Sequence, residues 1–378
     1  MMKFYKIKIK LDSPTIIPER RIERGYKGCL DYIPSTTLRG ALITSLYLNG
    51  NLKLDEAKEL VKTFDLLVSN AYLFDEGKES HPSHPFMYEC KVERERINFI
   101  NEVVDELKRY ENPRFKFRCS EGHLALKYIH PKTVIPLSDK RNMFRPSLVK
   151  VQCTISTAIS KRRASSQSGM LYEYDYIVEG QRFWSFLGIS EKLDKYIEEG
   201  LELKIGRGIS RGFGKAHIDD LEELSLNSLT DTIKSKIDLQ GVSILYSQSP
   251  LLDYDKTLMK YASYPRKIDL NHLLKICRFP FNDAGSISIV DVEGKPMIYG
   301  KTRVLHGGWD MHMNIKRPNF NDVISEGSIV VANINAKNDT PIALAILSII
   351  GYPVELNDYI FTGLNILIPI QIHPLGGL

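Results

Sequence analysis

Two stretches of this chain carry the same punctuation in the same order, and that repetition constrains the fold more than any single motif. Phe4, Ile7, Ile9 and Leu11 stand among Lys6, Lys8 and Lys10, a period of two over most of the run, which ends at the turn signal Asp12-Ser13-Pro14. Gly241 to Pro250 repeats the theme of a strand closed by Ser-Pro. Tyr176-Ile177-Val178-Glu179-Gly180 leads into a strand-like run, Arg182 to Leu187, and Val323-Ile324-Ser325-Glu326-Gly327 leads into another, Ser328 to Ile334. Each is followed by a helix-like stretch ending at glycine, Gly200 or Gly351, and by a last strand. Ordered landmarks of this kind imply two copies of one supersecondary plan, the alternative being chance likeness of short strands.

The unit reads strand, helix, strands, helix, strand. That order suits a ferredoxin-like (RRM-like) α+β sandwich, the framework of many RNA-binding domains. At 378 residues the chain has room for about two such domains. The expected organisation is a first domain over 1–221, interrupted by an insertion at about 51–146, a polar linker over 222–240, and a second domain over 241–378. The first helix is expected over Thr36 to Leu48, with Ser35 or Thr36 as N-cap and Arg39 opposite its apolar run. Helical patterns also occupy 54–67, 93–110 and 190–199.

The stretch from Ile205 to Lys215 carries four glycines, Gly206, Gly208, Gly212 and Gly214, among three cations, Arg207, Arg211 and Lys215, and one aromatic ring, Phe213. Backbone without Cβ can lie against another polymer, cations can meet phosphates, and a ring can stack on a base. A nucleotide-cradling loop runs from strand through glycines into helix; here the order is reversed, which favours nucleic acid over a nucleotide pocket. Glycine clusters also make ordinary tight turns, and Arg207 and Arg211 then need only water. The second copy has Thr362-Gly363-Leu364-Asn365 at the matching place, without the charge.

A net charge of +5 permits a polyanionic partner without demanding one. The N-terminal decapeptide lacks the apolar segment of a secretory signal, and the most apolar run, Pro341 to Gly351, is too short to span a bilayer. Five scattered cysteines fit a reducing compartment better than a disulfide framework, so a cytoplasmic protein is expected.

Chemistry is less legible. Cys119 and His123, joined by Cys90, His81 or His84, have the residue types to ligate zinc, although buried thiols and surface histidines are the plainer account. No catalytic triad or paired carboxylate can be read from the nine histidines and their spacing. His217, just past the glycine loop, is placed either to serve a ribonuclease as base or to fill a strand. Asp31 and His306 read as turn residues. Ser160 to Gly169, with Lys161, Arg162 and Arg163, reads as a hairpin connection able to follow a phosphate backbone.

Several segments together resemble the RAMP superfamily of CRISPR systems. Ile33-Pro34-Ser35-Thr36-Thr37-Leu38-Arg39-Gly40-Ala41-Leu42 resembles its helix-entry motif, with Ser35 where glycine is usual, and the 205–215 loop resembles its glycine-rich loop. Thr157-Ala158-Ile159-Ser160, Gly169-Met170-Leu171-Tyr172-Glu173-Tyr174, Gly307-Gly308-Trp309 and Glu326-Gly327-Ser328 are similar to marks of the large two-domain subunit of type III-D effector complexes, a relative of the family that holds the 5′ handle of the guide RNA. The resemblance implies a non-catalytic subunit that binds crRNA, and target RNA as well, beside a large polymerase-like subunit and backbone subunits. It also implies phosphate contacts at Arg39 and in the glycine loop. No cofactor is implied, zinc being an open question because Cys119 and His123 only partly match a paired-cysteine element of some relatives. An endoribonuclease that processes repeat RNA is the competing reading.

Overall fold

The computed structural model describes residues 1–22, 25–110, 117–128, 133–137, 142–160, 162, 165–310, 315–356 and 359–376. Lys161 and Arg163 therefore lie outside the described residues. In chain order the elements that organise the first half are β1 (Met2–Leu11), α1 (Ser35–Leu48), α2 (Leu54–Leu60), β2 (Ala71–Asp75), β3 (Val151–Ser160), β4 (Ser165–Ile177), β5 (Arg182–Ser190), β6 (Glu202–Lys204) and β7 (Lys215–Glu223). The second half follows with α3 (Leu226–Lys236), β8 (Gln240–Ser247), β9 (Ile329–Asn335), α4 (Thr340–Ile350) and β10 (Leu367–Pro369).

The architecture is mixed α+β, built on two antiparallel sheets. One runs β6-β7-β1-β5-β2 and the other carries β9-β8-β10, extended by Ser286–Ile289 and Lys267–Asp269. From Ile7 onward β1 behaves as its alternation demands: Ile7, Ile9 and Leu11 are fully buried, while Lys6 and Lys8 on the other face pair with Glu79 and Asp220 at 2.8 and 2.6 Å.

The two halves place their first strands alike. β1 lies between β5 and β7, and β8 lies between β9 and β10, so each opening strand sits beside the last strand of its half. The Glu-Gly landmarks close the same way. Gly180 N donates to Leu11 O at 2.7 Å and Leu11 N to Gln181 O at 3.0 Å; Gly327 N donates to Ser247 O at 2.7 Å and Ser247 N to Ser328 O at 2.8 Å. The two glycines have φ of +83° and +80°, a region that disfavours any side chain, which explains why glycine recurs there.

Several expected elements are shorter or different. The 54–67 pattern stops at Leu60, and Leu66–Val68 joins β5 as a strand. The 93–110 pattern begins only at Ile100, because Arg96–Asn98 pairs with Met87–Glu89 and Asn98 Oδ1 accepts from Ile100 N at 3.0 Å. The helix expected over 190–199 is a single turn, Glu191–Asp194. The segment 222–240 is not bare linker: β7 runs to Glu223 and α3 fills most of the rest. Leu226, Leu229 and Ile233 recur at helical spacing on its inner face, and with Ile237 just past its end they pack in the same core as α4. That core also takes Met2, Phe4 and Leu67 from the first half. Among the described residues no helix is long and apolar enough to cross a membrane.

Candidate nucleic-acid interface

The glycine run forms a tight loop between β6 and β7, with one turn of 3-10 helix at Ile209–Arg211. Ile205 N donates to Gly214 O at 2.7 Å, Arg207 N to Ile16 O at 3.0 Å and Gly214 N to Pro14 O at 2.8 Å, sewing the loop onto the segment that follows β1. All four glycines have positive φ. A Cβ at Gly206 would meet Ile16 O at 2.3 Å, and one at Gly214 would meet Ile205 O at 2.1 Å. The bare backbone at those positions thus accommodates this chain's own carbonyls, and the expectation that it faces another polymer is corrected there. Gly208 is likewise closed, by the Phe213 ring at 3.1 Å. Only Gly212 is exposed, with nothing within 4 Å of where a Cβ would stand.

The cations do face outward. Arg207, Arg211 and Lys215 are exposed, and Lys27 is exposed on the neighbouring strand Gly25–Cys29, which pairs in parallel with β4. Arg211 lies over the Tyr174 ring, 4.6 Å to its centroid, and its Nη1 donates to Tyr174 Oη at 2.9 Å. Phe213 is half-buried against Tyr176, ring centroids 6.1 Å apart. It anchors the loop more than it offers a platform. Tyr172 stacks with Tyr174 at 6.4 Å and 7°. Tyr172 and Tyr174 belong to a segment that resembles the family, and the alternation of Tyr172, Tyr174 and Tyr176 is the further signal, since a strand puts them on one face.

β3 and β4 form a long hairpin, and the connection expected over Ser160 to Gly169 is shorter than that, because β4 begins at Ser165. Arg162 is exposed at its tip. The hairpin also exposes apolar side chains, with Ile155 at 64%, Ile159 at 68% and Leu171 at 57% exposure.

Arg39 is a correction. It is 4% exposed, and all five of its N–H donors are spent on backbone carbonyls: Nε on Leu66 (2.9 Å), Nη1 on Val61 and Ile360 (3.2 and 2.9 Å), and Nη2 on Leu60 and Thr63 (2.7 and 2.8 Å). Three of these carbonyls lie at and just beyond the C-terminus of α2, where helix carbonyls lack intrahelical partners. Burial, with Arg317 nearby, pulls the Arg39 pKa down to about 10, so it remains a cation at neutral pH. It has nothing left for a phosphate.

The helix entrance is a seam between the halves. Pro34 stands in the N-cap position, and Ser35 is buried, its N–H donating to Asn70 Oδ1 at 2.8 Å and its Oγ to Thr362 O at 2.7 Å. A Cβ at Gly363 would meet the Ser35 side chain at 2.5 Å. The uncharged loop of the second half is therefore interior, locked by Asn365, whose amide bonds both the N–H and the C=O of Leu252 at 2.9 Å. Beside this seam a cleft of about 440 Å³ is lined by Tyr32, Tyr128, Lys301, Arg303 and Glu326.

His217 lies in β7, as a strand residue, with Nδ1 2.7 Å from Asp12 Oδ2. Asp12 immediately follows β1, so the pair borders the glycine loop. Of the metal candidates, Cys90, Cys119 and His123 come together, with their ligand atoms within 4.8 Å of one another. His81 and His84 do not join them. They are buried elsewhere, His81 with its ring 4.8 Å from that of His373.

A family model described as the RAMP superfamily matches residues 8–217, more than half of the chain. The chain belongs to the RAMP superfamily. Among curated proteins none matches it. Solved structures similar to this RAMP protein include a chain of the type III-B Cmr-beta complex bound to cognate target RNA, at 14% identity and TM-score 0.45, covering 86% of both chains. Oligomeric Cmr4 from Pyrococcus furiosus is another, at 14% identity and TM-score 0.26, covering 60% of this chain and 100% of that one.

Proposed function

We propose that this RAMP protein is a non-catalytic RNA-binding subunit of a CRISPR type III effector complex that holds the 5′ repeat-derived handle of the guide. In this reading its halves are two tandem ferredoxin-like units, and only the first keeps a cationic loop. The observation that carries the reading is the outward set Arg207, Arg211 and Lys215 on a loop whose backbone is sewn down on its inner side. Fixed cations on a rigid turn bind a phosphate chain without first having to be ordered. The apolar flank of the β3–β4 hairpin fits the neighbouring large and backbone subunits, and Arg162 at its tip reaches toward guide or target backbone.

The test is the double substitution Arg207→Ala with Arg211→Ala. Each arginine–phosphate pair removed should flatten the dependence of log affinity on log salt by about one, so a drop of about two is expected for handle RNA. Both side chains are exposed, so the urea midpoint should move little. An unchanged salt slope and unchanged guide retention in the purified complex would sink the reading.

A second reading is supported by one observation, the His217–Asp12 pair beside the loop. A carboxylate-oriented imidazole is the equipment of a general base. End-labelled repeat RNA incubated with the purified protein is expected to stay intact. Site-specific cleavage that disappears in His217→Ala would replace the binding role with an endoribonuclease.

A further inference from the structure

Cys90 ends the short strand Met87–Cys90, and Cys119 opens a tight turn that closes on His123. Within the turn, Gly122 N donates to Cys119 O at 2.9 Å and Cys119 N to His123 O at 3.1 Å. His123 Nδ1 lies 3.3 Å from Cys119 Sγ and 3.9 Å from Cys90 Sγ. Tetrahedral zinc with Zn–N and Zn–S bonds of about 2.0–2.3 Å holds its ligand atoms roughly 3.3–3.8 Å apart. Both nitrogen–sulfur separations approximate edges of that tetrahedron, and the two sulfurs lie within 4.8 Å of each other.

Two further observations point the same way. Backbone N–H groups are aimed at both sulfurs, from Glu93 to Cys90 at 3.5 Å and from His123 to Cys119 at 3.3 Å. Such bonds orient a thiolate and spread its charge, as the outer shell of a metal site does. The two thiols are also buried without belonging to any apolar core, at 0% and 5% exposure. Cys29 and Cys277, by contrast, are packed into the two main hydrophobic clusters, where a buried thiol is simply a small apolar group.

We propose that Cys90, Cys119 and His123 bind one zinc ion that pins the 119–123 turn to the end of the 87–90 strand. A water molecule supplies the fourth position. The strand concerned belongs to a sheet of three short strands, 87–90 with 96–98 and 126–128, and the ion ties the turn at Cys119 to its edge.

The full-length protein, purified without chelator and desalted, should carry about one zinc per chain by elemental mass spectrometry, since sites of this donor set bind tightly at neutral pH. Cys119→Ser with His123→Gln should bring the content to background, and Cys153→Ser, at an exposed thiol outside the cluster, should leave it unchanged. Cobalt substituted for zinc should give the thiolate-to-metal charge-transfer band of tetrahedral coordination. If the double variant misfolds, the wild-type protein still decides: chelation should speed tryptic cutting within 117–128, and added zinc should restore resistance. The proposal fails if wild-type protein refolded with zinc retains none, if zinc stays in the Cys90→Ser, Cys119→Ser variant, or if intact mass shows a Cys90–Cys119 disulfide.

Discussion

Arg39→Ala is expected to lower folding stability by about 3–5 kcal/mol, the range found when one partner of a buried charged network is removed. The loss combines three effects. Backbone carbonyls at the end of α2 and at Leu66 and Ile360 lose charge-assisted donors inside the protein. The side chain leaves a void between α1, α2 and the second half, and the cross-half bond to Ile360 goes. Arg39→Lys should recover only part of this, because one ammonium with three donors cannot span five carbonyls arranged around a planar fork. Urea denaturation of both variants measures it. A loss below about 1 kcal/mol for alanine would mean that water replaces the guanidinium. The folded lysine variant also separates structure from recognition: its RNA affinity should keep the wild-type salt slope, whereas a slope lower by about one would return Arg39 to the phosphates.

Acid should unfold the protein through three buried histidines. His81, His84 and His373 are 3%, 1% and 1% exposed, around Gln248 and the ring of Tyr246. Burial pushes His81 down to about 4 and His84 down to about 3 from the ordinary 6.5, and burial together with the other two imidazoles pushes His373 well down. The native state thus refuses protons that the unfolded chain accepts below pH 6.5. Stability is complete above that pH and falls as pH drops toward the folded-state values. By pH 4.5 the loss should reach roughly 2–3 kcal/mol from each of His81 and His84, with His373 adding to it, a large share of the 5–15 kcal/mol typical of a folded protein. Urea midpoints between pH 7.5 and 4.5 test this. His84→Gln should reduce the slope of stability against pH by about 1.4 kcal/mol per unit between about pH 6 and 4.5, and leave it unchanged above pH 6.5. Equal slopes for wild type and variant would show that His84 is already protonated in the native protein.

What is legible in the sequence follows the range of the interaction. Alternation of Ile7, Ile9 and Leu11 with lysines announces β1, and the paired Glu-Gly landmarks announce two turns that close identically, because strand and turn preferences act over a few residues. The outward cations of the glycine loop are legible for the same reason. The fate of Arg39 is not. Its helical position faces away from the apolar run of α1, and only the arrival of α2 and Ile360, the latter 321 positions away, turns that side into interior. The glycines of the loop announce what the backbone permits, and the structure shows which neighbour uses the permission: Ile16 and Ile205 for Gly206 and Gly214. Polar composition hides α3, although its apolar residues keep helical spacing. His81, His84 and His373 gather only because the C-terminal segment returns to the first half, a contact that no local pattern encodes.

The bonds from Arg39 to Ile360 and from Ser35 to Thr362 tie the two halves through groups sealed from solvent. Any rotation of one half against the other would strip those donors and acceptors at once, with no water at hand to replace them. The spacing of Arg207, Arg211 and Lys215 is set separately, by the bonds that hold their loop to Ile16 and Pro14, so it too is fixed at folding. If a nucleic-acid strand lies across that loop, as proposed, the bending has to come from the strand.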